Sequence, residues 1–356
     1  MKEFIKSPKL LIFGLSGLAI MAILVMGETG QVKGGKGMSS SLVKDPSADN
    51  NSAVIEQPFS ESMPSEAETD IDISHSHGNI TVRGWDKDEV KLEGRKIVKA
   101  KDEETARMYA EQMRVEMKSE EGRIIVKTIR PERDKAWEIK RITINYELHA
   151  PKRLSVTLKN SHGNVLVEDF AGKLDSNNRH GNLKVVQIGK DASIEHEHGN
   201  VEISHVGGDA SVSKRHGNLK MESVSGELKL DHEHGNVDLT VIGKSADLTK
   251  RHGNLSAVDV GGMLKLDHEH GEVRLNAIQG DVEINKQHGN IDIEKVNGNV
   301  TIHSNHGKLR IVDVEGDVHL RGAHGNAHVE NVSGSVDTSR SHGKVKLHNI
   351  EGAVSR

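Results

Sequence analysis

From residue 162 onward the apolar positions of this chain repeat every 18 residues. Each repeat opens on a His-Gly pair, at His162, His180, His198, His216, His234, His252, His270, His288, His306, His324 and His342. With the histidine as position 0, glycine stands at position 1 and asparagine usually at 2. Aliphatic residues follow at 3, 5 and 8, glycine falls near 10, and aliphatic residues return at 12 and 14. Between His198 and His216 these are Val201, Ile203, Val206, Ala210 and Val212. Apolar residues two apart predict extended strands with one buried face. The glycines mark turns, because glycine takes positive φ without steric cost. A fixed short period is the signature of a repeat architecture. The pattern therefore predicts an all-β fold, a parallel β-solenoid (β-helix or β-roll-like) of 18-residue rungs with two strands and two turns each. One rung per His-Gly gives eleven rungs over 161–356, a straight stack about 50 Å long at the usual strand spacing.

Upstream the pattern loosens. Residues 69–160 read as irregular N-terminal rungs, with strand patterns at 90–98, 123–129, 141–148 and 154–158. The segment 71–82 already has the later His-x-His-Gly-Asn form. Within 103–118, Ala106, Tyr109, Ala110, Met113 and Met117 share one helical stripe. This predicts a short amphipathic helix capping the first rungs, as terminal repeats require. Residues 28–68 carry no hydrophobic period and read as a flexible tether. Residues 10–27 form an apolar run broken only by Ser16, behind Lys2, Lys6 and Lys9. That length suits a transmembrane helix with residues 1–9 on the cytoplasmic side. The exit sequence is a poor cleavage site, which favours an uncleaved signal anchor over a cleaved signal peptide.

Composition fits a thin aliphatic core. Aromatic residues are 2% of the 356, and strict apolar content is 34%, low for a globular chain but natural where each rung buries one row of aliphatics. The chain has no cysteine, which excludes disulfide and thiolate chemistry. Its net charge of −5 gives no case for a nucleic-acid partner.

The Gly-Asn-Ile-Thr-Val-x-Gly-Trp85 segment, the single helix, the Ile142-Thr-Ile-Asn-Tyr146-x-Leu-x-Ala-Pro151 strand and the Gly-Asn-Val repeats resemble the bacterial "putative adhesin" family of unknown function, an adhesin-like repeat domain. The resemblance covers about residues 70–356. It implies a β-solenoid ectodomain on an anchored envelope protein, and transfers no catalytic residue. The regularity of the histidines departs from that family, which does not require it.

The histidines admit three readings. The first is a structural ladder, with imidazoles at positions 0 from His162 to His342 stacking and bonding backbone carbonyls. The second is metal binding through His180, His196, His198 and His216, opposed by Lys214 and Lys250, which strand alternation places on the same side. The third is a pH-responsive surface. Position 17 alternates in sign through Arg179, Glu197, Arg215, Glu233, Arg251 and Glu269. This predicts an ion ladder that fixes register. No catalytic, cofactor or metal site is assigned. The sequence reading is thus a non-enzymatic, single-pass membrane protein of the bacterial cell envelope with an extracytoplasmic solenoid acting as an adhesin-like or scaffold module. A metal- or pH-responsive sensor is the alternative. Expected partners are the membrane and an envelope polymer or protein. The chain stops half a rung past His342 without a closing helix or proline, so a homodimer through the C-terminal rung is also expected.

Overall fold

A computed structural model of the chain describes residues 41–42, 52–65, 67–131, 138–322, 324–340 and 343–356. The apolar run 10–27 lies outside these residues, and no described helix is long and apolar enough to cross a membrane.

The repeat folds as two strands per rung. Strands such as Val201–Val206 and Ala210–His216 stack in parallel on their counterparts 18 residues away, Val201 on Leu219 and Ala210 on Leu228. The described strands make two sheets, of 16 and 15 strands, with the core between them. Positions 3, 5 and 8 of one strand and 12, 14 and 16 of the other point inward. In one rung these are Val201, Ile203, Val206, Ala210, Val212 and Lys214, all buried.

The step from 5 to 8 breaks strict alternation, and the backbone shows why. Position 7 is left-handed in every regular rung from Asp169 to Asn349, with φ between 52 and 65°. Pairing skips this residue, so one extra residue flips the phase and returns position 8 to the core. Side-chain oxygens cap both turns. Asn164 Oδ1 accepts from Asn182 N at 2.9 Å, and Asp209 Oδ1 accepts from Glu227 N at 2.8 Å. The preference for Asn or Asp in each nonapeptide follows from these bonds.

The N-terminal end is built differently. Strands β1 (Ser41–Leu42), β2 (Ala53–Pro64), β3 (Asp70–His77), β4 (Ile80–Trp85) and β5 (Glu89–Ala100) precede helix α1 (Glu103–Gln112). Strands β6 (Arg114–Glu120), β7 (Arg123–Ile129), β8 (Arg141–Pro151), β9 (Ser155–His162) and β10 (Val165–Phe170) follow. β3 and β4 pair directly with β9 and β10, with His77 opposite His162 and Ile80 opposite Val165. The intervening chain makes the layer beneath, β7 on β3 and β8 on β4. Antiparallel β5, β2 and β6 extend it.

Helix α1 begins at Asp102, whose Oδ1 accepts from Thr105 N at 2.8 Å, a side-chain cap on a free helical N–H. Ala106, Tyr109 and Ala110 are its buried face. Two expectations are corrected here. The helix stops at Gln112, and Met117 lies in β6, where Arg114-Val-Glu-Met alternates against β7. The tether expected over 28–68 does not extend across residues 53–64, which form β2, paired along its whole length with β5 and burying Ile55. A strand whose other neighbour is only the two-residue β1 accepts Pro58 and Pro64, which disguised it in the sequence.

Candidate functional site

The chemistry-bearing residues gather at the His-Gly corner. Gly78 to Gly307 at position 1 have φ from 105 to 141°, and a Cβ on Gly199 would lie 2.1 Å from Gly181 O. Only glycine fits there, which explains its recurrence. The turn carries each position-0 imidazole onto the outside of the corner.

His162, His180, His198, His216, His234, His252, His270, His288, His306 and His324 form one column of stacked rings. Centroid spacings run from 4.7 Å at His162–His180 to 5.4 Å at His306–His324. His342 lies outside the described residues. His77 extends the column at the other end, 4.6 Å from His162; the early His-x-His-Gly-Asn form was its sequence signal. Burial and the adjoining imidazoles lower the pKa of His180 and His216.

Position 16 does not share this face. The strand alternation of 12 and 14 continues through it into the core, giving a second file that the sequence reading misplaced: Asn160, Asn178, His196, Lys214, His232, Lys250, His268, Lys286 and Ser304, all buried. His196 Nε2 donates to Gly181 O at 2.8 Å, and His232 and His268 make the same bond to Gly217 and Gly253. The carbonyl acceptor fixes the proton on Nε2. Nδ1 is then free to accept from the next lysine, at 3.2 Å from Lys214, 2.9 Å from Lys250 and 3.0 Å from Lys286. Lys214 also donates to His216 O at 2.8 Å and to Gly199 O, and Lys250 repeats the pair on His252 and Gly235. All three protons of these two ammonium groups are used without a carboxylate. Burial, reinforced by the adjacent ammonium, pushes His196, His232 and His268 down to about 4. Burial alone pushes Lys214, Lys250 and Lys286 down to about 8.

The four residues of the metal reading are therefore not brought together. His196 is inside with both nitrogens engaged, while His180, His198 and His216 are outside. Neighbouring outer rings, 4.8–4.9 Å apart and parallel within 10°, are too widely spaced for one zinc ion at about 2.0–2.1 Å from each nitrogen. Among the described residues no group of three or more His, Asp or Glu is placed to hold a metal.

Outside the corner, position 17 carries three of the five neighbouring charge pairs that the expected ladder implies. Arg179–Glu197 lies at 3.5 Å, Arg215–Glu233 at 3.7 Å and Arg251–Glu233 at 3.6 Å. The arginines are exposed and the glutamates half-buried, and such surface pairs contribute under about 1 kcal/mol each. Position 4 holds a second alternation that sequence reasoning missed, Lys184, Glu202, Lys220 and Asp238, with Lys184–Glu202 at 3.1 Å.

No curated protein matches this chain. Among solved structures it is similar to a "putative cell adhesion protein" from Clostridium sporogenes ATCC 15579, at 10% identity and a TM-score of 0.29, covering 64% of this chain and 99% of that one. A "putative lipid binding protein" from Parabacteroides distasonis ATCC 8503 gives 12% identity and 0.23 over 84% and 96%. A "putative adhesin" from Bacteroides fragilis NCTC 9343 gives 12% identity and 0.19 over 84% and 96%. Likenesses this distant carry no functional conclusion. The model of the Toastrack DUF4097 family matches residues 62–283 and 248–355, nearly the whole of the repeat and its cap, and the chain belongs to that family.

Proposed function

We propose that this protein is a non-enzymatic, membrane-anchored module of the bacterial cell envelope, a stiff adhesin-like or scaffold rod that presents a binding surface away from the membrane. The observation that supports this most is the 18-residue register, held strand on strand through the described rungs from Leu174 to Val318 and shifted by one residue between His319 and Arg321. A solenoid locked in this way is stiff along its axis, because each rung contacts its neighbours over two sheets. The buried histidines and lysines of its inner file are engaged with one another and with backbone carbonyls. The sequence supports the anchor through the apolar run 10–27 with its lysine-rich flank. Self-association through the terminal rung belongs to the same proposal, and light scattering on the full chain reads it.

The experiment is cell fractionation with protease shaving of the full chain carrying a C-terminal tag. The expected result is a membrane-bound protein whose tag is cleaved from outside the cytoplasm, and whose deletion of 10–27 leaves it soluble. A tag in the cytosol, or one protected from protease in cells with a permeabilised outer surface, would refute the reading.

A further inference from the structure

Near the C-terminal end the surface changes character. Along position 2 each asparagine caps the N–H eighteen residues later, as Asn290 does for Lys308 at 3.0 Å and Asn326 for Lys344 at 3.4 Å. Lysine has no acceptor to offer. Lys308 therefore gives up the bond that asparagine would make to the next rung, and places a cation there instead.

Position 4 changes in the same rungs. Its upstream members alternate in sign, but after Arg310 come His328 and Lys346, with no carboxylate between them. Arg310 is balanced by Asp292 at 2.9 Å and by Glu294. His328 lies 3.1 Å from Glu330. Lys308, Lys344 and Lys346 are exposed and have no carboxylate within ion-pair distance among the described residues. These side chains line one groove of about 760 Å³ that crosses four successive rungs. The excess of cations is local, since the chain as a whole carries −5.

We infer that this groove binds an extended acidic polysaccharide through carboxylate or sulfate groups spaced along the polymer. Lys308 and Lys344 stand two rungs apart, about 10 Å along the axis, so the charges form an elongated row rather than a pocket for one ion. Lysine suits this task, as a point charge that accepts oxyanions without demanding one geometry. Single-stranded nucleic acid is disfavoured because the groove offers one imidazole, His328, rather than a succession of aromatic rings on which bases could stack. The cations also line a groove, whereas a membrane surface is flat. The inference rests on the proposed binding-module reading and names its ligand class.

The test is a binding titration of the detergent-solubilised full chain against polygalacturonate and dextran sulfate, with neutral dextran, poly(dT) and anionic phospholipid vesicles in parallel. The expected result is salt-sensitive binding to the acidic polysaccharides. It should weaken tenfold or more in the triple variant Lys308→Gln, Lys344→Gln, Lys346→Gln. A control triple, Lys229→Gln, Lys244→Gln, Lys265→Gln, removes the same charge elsewhere and should stay within twofold of the parent. Matching thermal melts of both triples establish that the fold is intact. No binding by the parent, equal losses in both triples, or stronger binding to poly(dT) or vesicles would each overturn the inference. Isolated envelope separates the two levels. A groove triple that still binds envelope like the parent overturns the groove and leaves the module standing, whereas a parent that binds no envelope removes the module itself.

Discussion

Val241 sits at φ 58°, in the left-handed region, with its side chain exposed. A β-branched residue is poorly tolerated there, while asparagine and glycine are accommodated. Val241→Asn should raise stability by about 1 kcal/mol, read as a higher urea midpoint at an unchanged m-value. Glycine at the other corner behaves oppositely. In Gly199→Ala the new methyl would meet Gly181 O at 2.1 Å, and the loss should be about 3 kcal/mol or more. An alanine variant as stable as the parent would show that the corner relaxes. Core and ladder differ in the same way. Ile203 is fully buried, so Ile203→Ala should cost about 2–5 kcal/mol, whereas His216→Asn on the outer column should cost under about 1 kcal/mol. Equal losses in an unfolding titration would make the outer imidazoles part of the core energetics.

Along the stacked strands the buried file makes two rungs, rather than one, the unit of pairing. Imidazole accepts from ammonium at Lys214–His196, and the order repeats at Lys250–His232 and Lys286–His268. Deleting residues 217–234 would place Lys214 directly beside Lys250, two buried cations about 4.8 Å apart. Deleting 217–252 removes twice as much core yet sets Lys214 beside His268. The shorter deletion should therefore melt at the lower temperature, against the usual trend that fewer repeats mean less stability. The file also gives the fold a pH dependence. His196, His232 and His268 titrate at about 4 when folded and near 6.5 when unfolded. The unfolded chain therefore binds more protons between these values, and stability is lost as pH falls from about 6.5 towards 4. Each histidine contributes at most roughly 3 kcal/mol by the same linkage. Lys214, Lys250 and Lys286, lowered to about 8, have the unfolded chain binding more protons between about 8 and 10.5, so stability should rise across that window. Urea midpoints from pH 4 to 10 test both limbs. His196→Asn, His232→Asn, His268→Asn should flatten the acid limb, since asparagine already occupies the file at 160 and 178.

At the scale of the whole described chain, the stack is protected at its N-terminal end by α1 and by the antiparallel strands β2, β5 and β6. Tyr109, 1% exposed, anchors that cover. Tyr109→Ala should cost about 3 kcal/mol or more and should promote aggregation by uncovering sheet edges. A variant that loses stability without gaining light scatter would show that the cap stabilises but does not shield. The histidine column crosses the join between cap and repeat, from His77 to His162, so the chain between β4 and β9, residues 86–154, forms an excursion between two adjacent rungs.

The period of 18, the two strands per rung, the glycine corners and the alternating charges at position 17 are all properties of neighbouring residues and of spacing, and the sequence alone determined them. It also supplied the 3, 5, 8 spacing but not its cause, because a left-handed residue at position 7 can be Gln, Val, Asp or Lys and leaves no compositional mark. The tertiary structure decided where the alternation ends. Position 16 and position 0 have the same parity, yet the first is enclosed between two sheets and the second ends its strand at the glycine corner, so a histidine of one kind is buried and neutral while the other is exposed or half-exposed and stacked. Likewise β2 looked like tether, since its apolar residues are too few to show a period and only the long antiparallel partner β5 makes it a strand. Burial and pairing across distant segments are collective, and no local pattern carries them.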